Sequence, residues 1–134
     1  KQKLSNYPFT IIGSGKQKRD FIHVNDVVRA FFAASKNNVK NKIINIGSGK
    51  PRSVLEMVKI LGGKMTFIPK RPGEPDITHA EIRRAKKILK WKPKISLEIG
   101  LNEVLKNSSY WKKSPLWTKS KIKKATKNWF KYLN

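Results

Sequence analysis

Arg19, Arg71 and Glu74 are the residues of this 134-residue chain whose types and settings best suit the binding of an anion. Arg19 stands in the run Lys18, Arg19, Asp20, Phe21, Ile22, His23, Val24, Asn25 and Asp26, where a charged turn passes into an apolar helix. A guanidinium is permanently charged and presents a planar fork, so on a stiff corner it can take a phosphate or carboxylate through two parallel hydrogen bonds. The plainer alternative is an ion pair of Arg19 with Asp20 or Asp26. Arg71 and Glu74 lie between Pro69 and Asp76, where Pro69, Pro72, Gly73 and Pro75 preclude a helix and make a loop stiff enough to aim both side chains. From the residues alone, a proline-rich surface loop with an incidental ion pair is the better reading.

Other chemistries are poorly supplied. With two histidines and no cysteine, a His/Cys metal site is excluded. The eight carboxylates are scattered, which disfavours a glycosidase pair, and no serine sits in a nucleophile elbow. Gly-Ser-Gly-Lys occurs at Gly13 and again at Gly47, but the phosphate-loop pattern fails on spacing. Thr10 and Gln17 in the first copy, and Ile44 and Pro51 in the second, hold the places that require Gly and Ser or Thr. Both copies read as turns that use the conformational freedom of glycine.

The elements that must position these residues follow from local pattern. Phe9, Thr10, Ile11 and Ile12 read as a short strand stopped by Gly13. A helix over 25–35 is expected to start on Asn25 or Asp26 as the cap, with Val24, Val27, Val28 and Phe31 on one buried face. Ile43, Ile44, Asn45 and Ile46 have apolar residues on both faces, which predicts a strand buried on both sides of a parallel sheet. Ser53 and Glu56 form a capping box for a helix ending at Gly62, and 65–68 is another short strand. Thr78 and Glu81 are placed as a further capping box, and Leu97, Leu101, Val104 and Leu105 as a core-facing stripe. A last helix, capped by Thr118 or Ser120, carries Ile122, Ala125, Trp129 and Leu133 on one face.

Length and composition predict one domain with a real core, since 38% of residues are hydrophobic. Thirty-one Lys and Arg face eight Asp and Glu, a formal net charge of +23 that attracts any polyanion. Most of these cations are Lys, which marks a hydrated surface more than a phosphate reader, so lysine decoration of ordinary helices is the alternative. No apolar run reaches the length of a membrane span, and the N-terminus is no signal peptide and lacks an initiator Met. The sequence therefore reads as a piece of a longer chain, and the absence of cysteine fits a reducing, cytoplasmic setting. The basic terminal helix with its Trp suits an anionic membrane or single-stranded nucleic acid, or else docking on its own domain or a partner subunit.

Residues 19–26 resemble the Arg-Asp-Phe/Tyr-Ile-His-Val-x-Asp segment of the extended short-chain dehydrogenase/reductases, the NAD-dependent nucleotide-sugar epimerases and dehydratases typified by UDP-galactose 4-epimerase. Asn45, Ile46, Gly47, Ser48 and Gly49 are similar to that family's Tyr-Asn-Ile-Gly-Ser-Gly unit. Arg71, Gly73 and Glu74 match its Arg-x-Gly-Asp/Glu, and Trp91, Pro93, Leu97, Gly100 and Leu101 match its closing Trp-x-Pro-x-x-x-Leu-x-x-Gly-Leu. The likeness covers roughly 9–105 in the right order. It departs where Glu81, Arg83 and Arg84 replace parts of an Asp-x-Ser-Lys-Ala cap.

The resemblance implies an α/β fold, the C-terminal part of an extended SDR and an incomplete Rossmann-type fold. Residues 1–106 would be the nucleotide-sugar-binding part and 107–134 a basic aromatic extension. It implies that Arg19 and Arg71 grip the diphosphate, that Glu74 accepts from the ribose hydroxyls, and that main-chain groups of Thr10 and Ile12 hold the base. His23 would be structural. NAD(P) would serve the complete enzyme and not bind this chain alone, because the glycine fingerprint and the catalytic Tyr-x-x-x-Lys do not occur here. The implied partners are a nucleotide-sugar substrate and a Rossmann half, as a separate chain or within a homodimer. The competing class is a non-catalytic basic module binding nucleic acid or anionic membrane.

Overall fold

The computed structural model describes residues 1–37 and 39–133. After a short 3₁₀ turn at Lys3–Ser5, the chain forms β1 (Phe9–Ile12), β2 (Lys18–Arg19), α1 (Val24–Lys36), β3 (Arg52–Ser53), α2 (Val54–Leu61) and β4 (Met65–Ile68). It continues with α3 (Arg83–Ile88), α4 (Leu97–Lys106), a 3₁₀ turn at Ser108–Trp111, α5 (Lys119–Ala125) and α6 (Lys127–Tyr132). No described helix is long and apolar enough to cross a membrane.

β1 and β4 pair in parallel, Phe9 opposite Met65 through Ile12 opposite Ile68. Parallel neighbours need a crossover, and α2 supplies its last leg. Ile11 of β1 and Val58 of α2 are both buried. Gly15 permits this closeness, because a Cβ there would lie 2.8 Å from Ile11 and Leu55 side-chain atoms, and its φ of +71° is one glycine adopts freely. β2 pairs antiparallel with β3 and also bridges in parallel to Ile77, so this two-residue strand is held on both edges.

A second apolar centre gathers Ala30, Ala85, Leu89 and Trp91, with Ile22, Ala33, Ile44 and Ile46 against it. Asp26 lies beside this centre at 0% exposure. It is not the helix cap. Its carboxylate accepts from the backbone N–H groups of Lys94 and Ile95, each at 3.0 Å, and from Arg29, while its carbonyl accepts the Trp91 indole N–H at 3.0 Å. A buried charge is tolerable only when donors meet it in this way. The cap of α1 is His23, whose Nδ1 accepts from the Asn25 N–H at 3.2 Å.

Four further expectations are corrected. Val24, Val28 and Phe31 are exposed, Phe31 at 73%, and the side of α1 turned inward carries Asp26 and Ala30. Helical periodicity fixes which residues share a face, and among the described residues nothing covers this one. Residues 43–46 form no strand, with no ladder partner among the described residues and Ile43 84% exposed. Thr78 caps nothing, since α3 begins at Arg83 without a side-chain cap, and Glu81 instead accepts from the Arg83 N–H. Val104 is exposed while Leu97, Leu101 and Leu105 are half-buried. The Ser53–Glu56 capping box forms as expected, and the Ser53 backbone and hydroxyl hydrogen bonds, with Arg52, lower the Glu56 carboxyl from 4.5 to about 2.

Asp26→Ala should remove about 3 kcal/mol of stability by leaving two buried amides and Arg29 without their acceptor, read as a fall in the urea midpoint. Glu56 has a folded pKa below its unfolded one, so its cap contributes fully above about pH 4.5 and is lost as the pH falls towards 2. The difference in melting temperature between the parent and Glu56→Ala should therefore narrow between about pH 6 and about pH 2.

Candidate functional site

Where β2 runs beside the loop after β4, two guanidinium groups meet one carboxylate. Arg19 Nη2 donates to Glu74 Oε1 at 3.2 Å, and Arg71 donates through Nη2 to the same oxygen and through Nε to Oε2, both at 3.2 Å. All three side chains are partly covered, at 24%, 26% and 17% exposure for Arg19, Arg71 and Glu74. Arg19 does not pair with Asp20 or Asp26.

Several short-range devices set this arrangement. The Lys18 N–H donates to Asp76 and the Thr78 N–H donates back to Lys18, which binds β2 to the end of the loop. Arg19 Nη1 donates to the Lys18 carbonyl at 2.8 Å, orienting the fork. Lys70 and Asp76 close the loop on itself at 2.5 Å, and this hydrogen bond holds the Asp76 carboxyl below its ordinary pKa. Gly73 turns the loop at φ +70° between the prolines, in open space.

A cleft of about 220 Å³ opens beside Glu74, lined among others by Ile12, Gly13, Lys16 and Lys70. Ile12 thus borders it, and its carbonyl accepts the Gln17 side-chain N–H at 2.9 Å. Thr10 does not line it, and its hydroxyl accepts from Gln2 at 3.1 Å. Arg19, Arg71 and Glu74 are therefore brought together, Ile12 borders the cleft that Glu74 alone of the three lines, and Thr10 is set apart.

The second Gly-Ser-Gly-Lys turn is not an open phosphate cradle. There Asp20 already occupies the amides, accepting from Ser48 at 2.6 Å, Gly49 at 3.1 Å and Ala80 at 2.9 Å. Burial pushes the Asp20 carboxyl up, but these hydrogen bonds outweigh it and the net shift is downward. A Cβ on Gly47 would sit 2.9 Å from that carboxylate and 2.4 Å from Ala80 Cβ. His23 bridges α1 to Glu103 of α4 at 3.3 Å, and the His79 ring donates to the Gly49 carbonyl at 3.2 Å, so both histidines are engaged in structural contacts. Among the described residues no group of three or more His, Cys, Asp or Glu could hold a metal ion.

Sequence reasoning missed Asp20, Gln17 and Trp129. An acid immediately ahead of the β-forming residues 21–24 is a usable signal for Asp20. For Trp129 there was none, because its indole reaches the Pro72 carbonyl, 57 residues earlier in the chain, at 2.9 Å.

Residues 1–47 match the model of the NAD dependent epimerase/dehydratase family. An uncharacterized UDP-glucose epimerase of Bacillus subtilis, YtcB, is 39% identical over 117 residues, covering 81% of this chain and 37% of that protein. A UDP-glucuronate 4-epimerase of Thermodesulfobacterium geofontis is 35% identical, over 73% of this chain and 32% of its own length. Among solved structures, UDP-glucuronic acid 4-epimerase from Bacillus cereus in complex with UDP-glucuronic acid and NAD superposes with a TM-score of 0.72 at 34% identity, over 80% of this chain and 38% of that one. The chain thus spans about a third of the length of the relatives it matches. Its α/β arrangement of short strands and amphipathic helices is an incomplete Rossmann-type fold, and by sequence and architecture together the chain belongs to the NAD-dependent epimerase/dehydratase family, as a C-terminal part of an extended short-chain dehydrogenase/reductase.

Proposed function

We propose that this chain is the substrate-binding part of an NAD-dependent nucleotide-sugar epimerase or dehydratase, and that it grips the nucleoside diphosphate of a UDP-sugar-like substrate through Arg19 and Arg71. The observation that supports this is the convergence of both guanidinium groups on a single carboxylate oxygen, each at 3.2 Å. A carboxylate that two forks can share marks a place where phosphoryl oxygens would find the same donors. Arg19 Nε and Arg71 Nη1 have no hydrogen-bond partner among the described residues, so donors remain for the ligand. Glu74, drawn aside by the ligand, is placed to accept from ribose hydroxyls, and the backbone of Ile12, with Thr10 behind it, is proposed to face the base.

This chain's contribution is binding and orientation. In the complete enzyme NAD supplies reversible removal of hydride from the sugar. Neither the glycine fingerprint nor a Tyr-x-x-x-Lys pair occurs in the sequence, and Asp20 fills the amides of the second glycine turn. No residue here is assigned to that cofactor, and no turnover is expected from this chain alone. The half that carries those groups, in the same or another chain, is the proposed cover for the exposed apolar side chains Val24, Val28, Phe31 and Phe32 of α1. We place the division between the binding part and the C-terminal extension at 106/107.

UDP titrated calorimetrically into the chain at near-physiological salt should bind saturably. Arg19→Ala and Arg71→Ala should each weaken it by about tenfold or more, the scale of one lost charge-assisted hydrogen bond. Exchanging lysines remote from the site should leave it unchanged. Absence of saturable UDP binding, or displacement of UDP by single-stranded DNA at that salt, would overturn the reading in favour of a polyanion binder.

A further inference from the structure

The C-terminal helices end against the loop that carries Arg71. Trp129 of α6 donates its indole N–H to the Pro72 carbonyl at 2.9 Å, and the Arg71 guanidinium carbon lies 5.1 Å from the centroid of the same ring. One side chain therefore fixes both the backbone of the turn between Arg71 and Glu74 and the plane of the Arg71 fork. A groove of about 580 Å³, with Phe67 and Ile68 of β4 on one wall and Ile122 and Phe130 on the other, runs beside this contact. A second tether is independent of it. The Gln2 side-chain amide donates to the Thr10 hydroxyl at 3.1 Å and to the Trp117 carbonyl at 3.0 Å, joining β1 to the segment that leads into α5.

The geometry matters because of what Arg71 must do when an anion arrives. Its hydrogen bonds to Glu74 lie in the plane of the guanidinium and use, through Nε and Nη2, some of the donors that a phosphate would take. A fork held by Glu74 alone would lose its orientation as those bonds exchanged. An aromatic ring engages the face of the cation and uses none of its N–H groups. Trp129 can therefore hold the plane of Arg71 while its partners change.

We infer that Trp129 is a positioning residue of the diphosphate grip, acting through Arg71, and that the C-terminal extension is part of the binding site. This rests on the proposed role of Arg71. The test is a double-mutant cycle in the full chain, with UDP affinity measured for the parent, Trp129→Leu, Arg71→Ala and the double variant. Trp129→Leu should weaken UDP binding roughly fivefold. In the Arg71→Ala background the same change should have no further effect. Trp129→Phe, which keeps a ring face and loses the indole N–H, should recover most of the affinity. A general folding role would not produce that dependence on Arg71, and if Trp129→Leu fails to fold, Trp129→Phe and Trp129→Tyr with and without Arg71 supply the cycle. Loss of UDP binding in Arg71→Ala with parental affinity in the Trp129 variants would overturn this inference alone. Parental affinity in Arg71→Ala would overturn the diphosphate reading and this inference with it.

Discussion

A carboxylate taken out of water has to be met by donors, and the structure depends on two acids in one short segment, Asp26 fully buried and Asp20 partly so, that are met in this way. Asp20 collects backbone N–H groups from Ser48, Gly49 and Ala80, and Asp26 collects those of Lys94 and Ile95 together with Arg29. Between them His23 caps α1 and reaches Glu103 of α4. The stretch 19–26 thus ties together segments that share little regular secondary structure. Two ladders, of four and two residue pairs, could not fix so much loop by themselves. Polar side chains satisfying backbone groups supply what the sheet does not.

That junction also explains the position of Arg19. β2 is only two residues long, yet it is pinned by β3 on one edge, by residues 76–78 on the other, and by Asp20 immediately after it. A side chain leaving such a strand has little freedom of direction. The partner loop is stiffened differently, by prolines and by the Lys70–Asp76 closure, and Trp129 leans on its turn. Two independent local solutions therefore deliver two guanidinium groups to one carboxylate.

Much of this was legible in the sequence where the cause was local. The Ser53–Glu56 box, the glycine turns at Gly13 and Gly62, and strands β1 and β4 all follow from neighbours a few residues apart, and all are present. Arg19, Arg71 and Glu74 could be singled out by type and setting, although that the two arginines share Glu74 is a tertiary fact. The misreadings have a common origin. Asp26 and Thr78 were of capping type, but tertiary donors claimed the first, and α3 began too late for the second. The apolar stripe of α1 and the run 43–46 were correctly seen as hydrophobic, yet a periodicity says nothing about what lies opposite. Trp129 and Gln2 act across the length of the chain, where pattern reading has no purchase.

Glu74 standing between the two arginines has an electrostatic consequence. Seen from several ångströms away, two positive charges and one negative amount to a single cation, so the pair adds little to the far field of a chain with net charge +23. On the proposed reading, drawing an anion in from solution would fall mainly to the surrounding lysines, whose pull weakens with ionic strength. The guanidinium groups would then act only at contact, by exchanging the Glu74 carboxylate for a phosphate. Encounter rate and residence time would in this way be set by different residues.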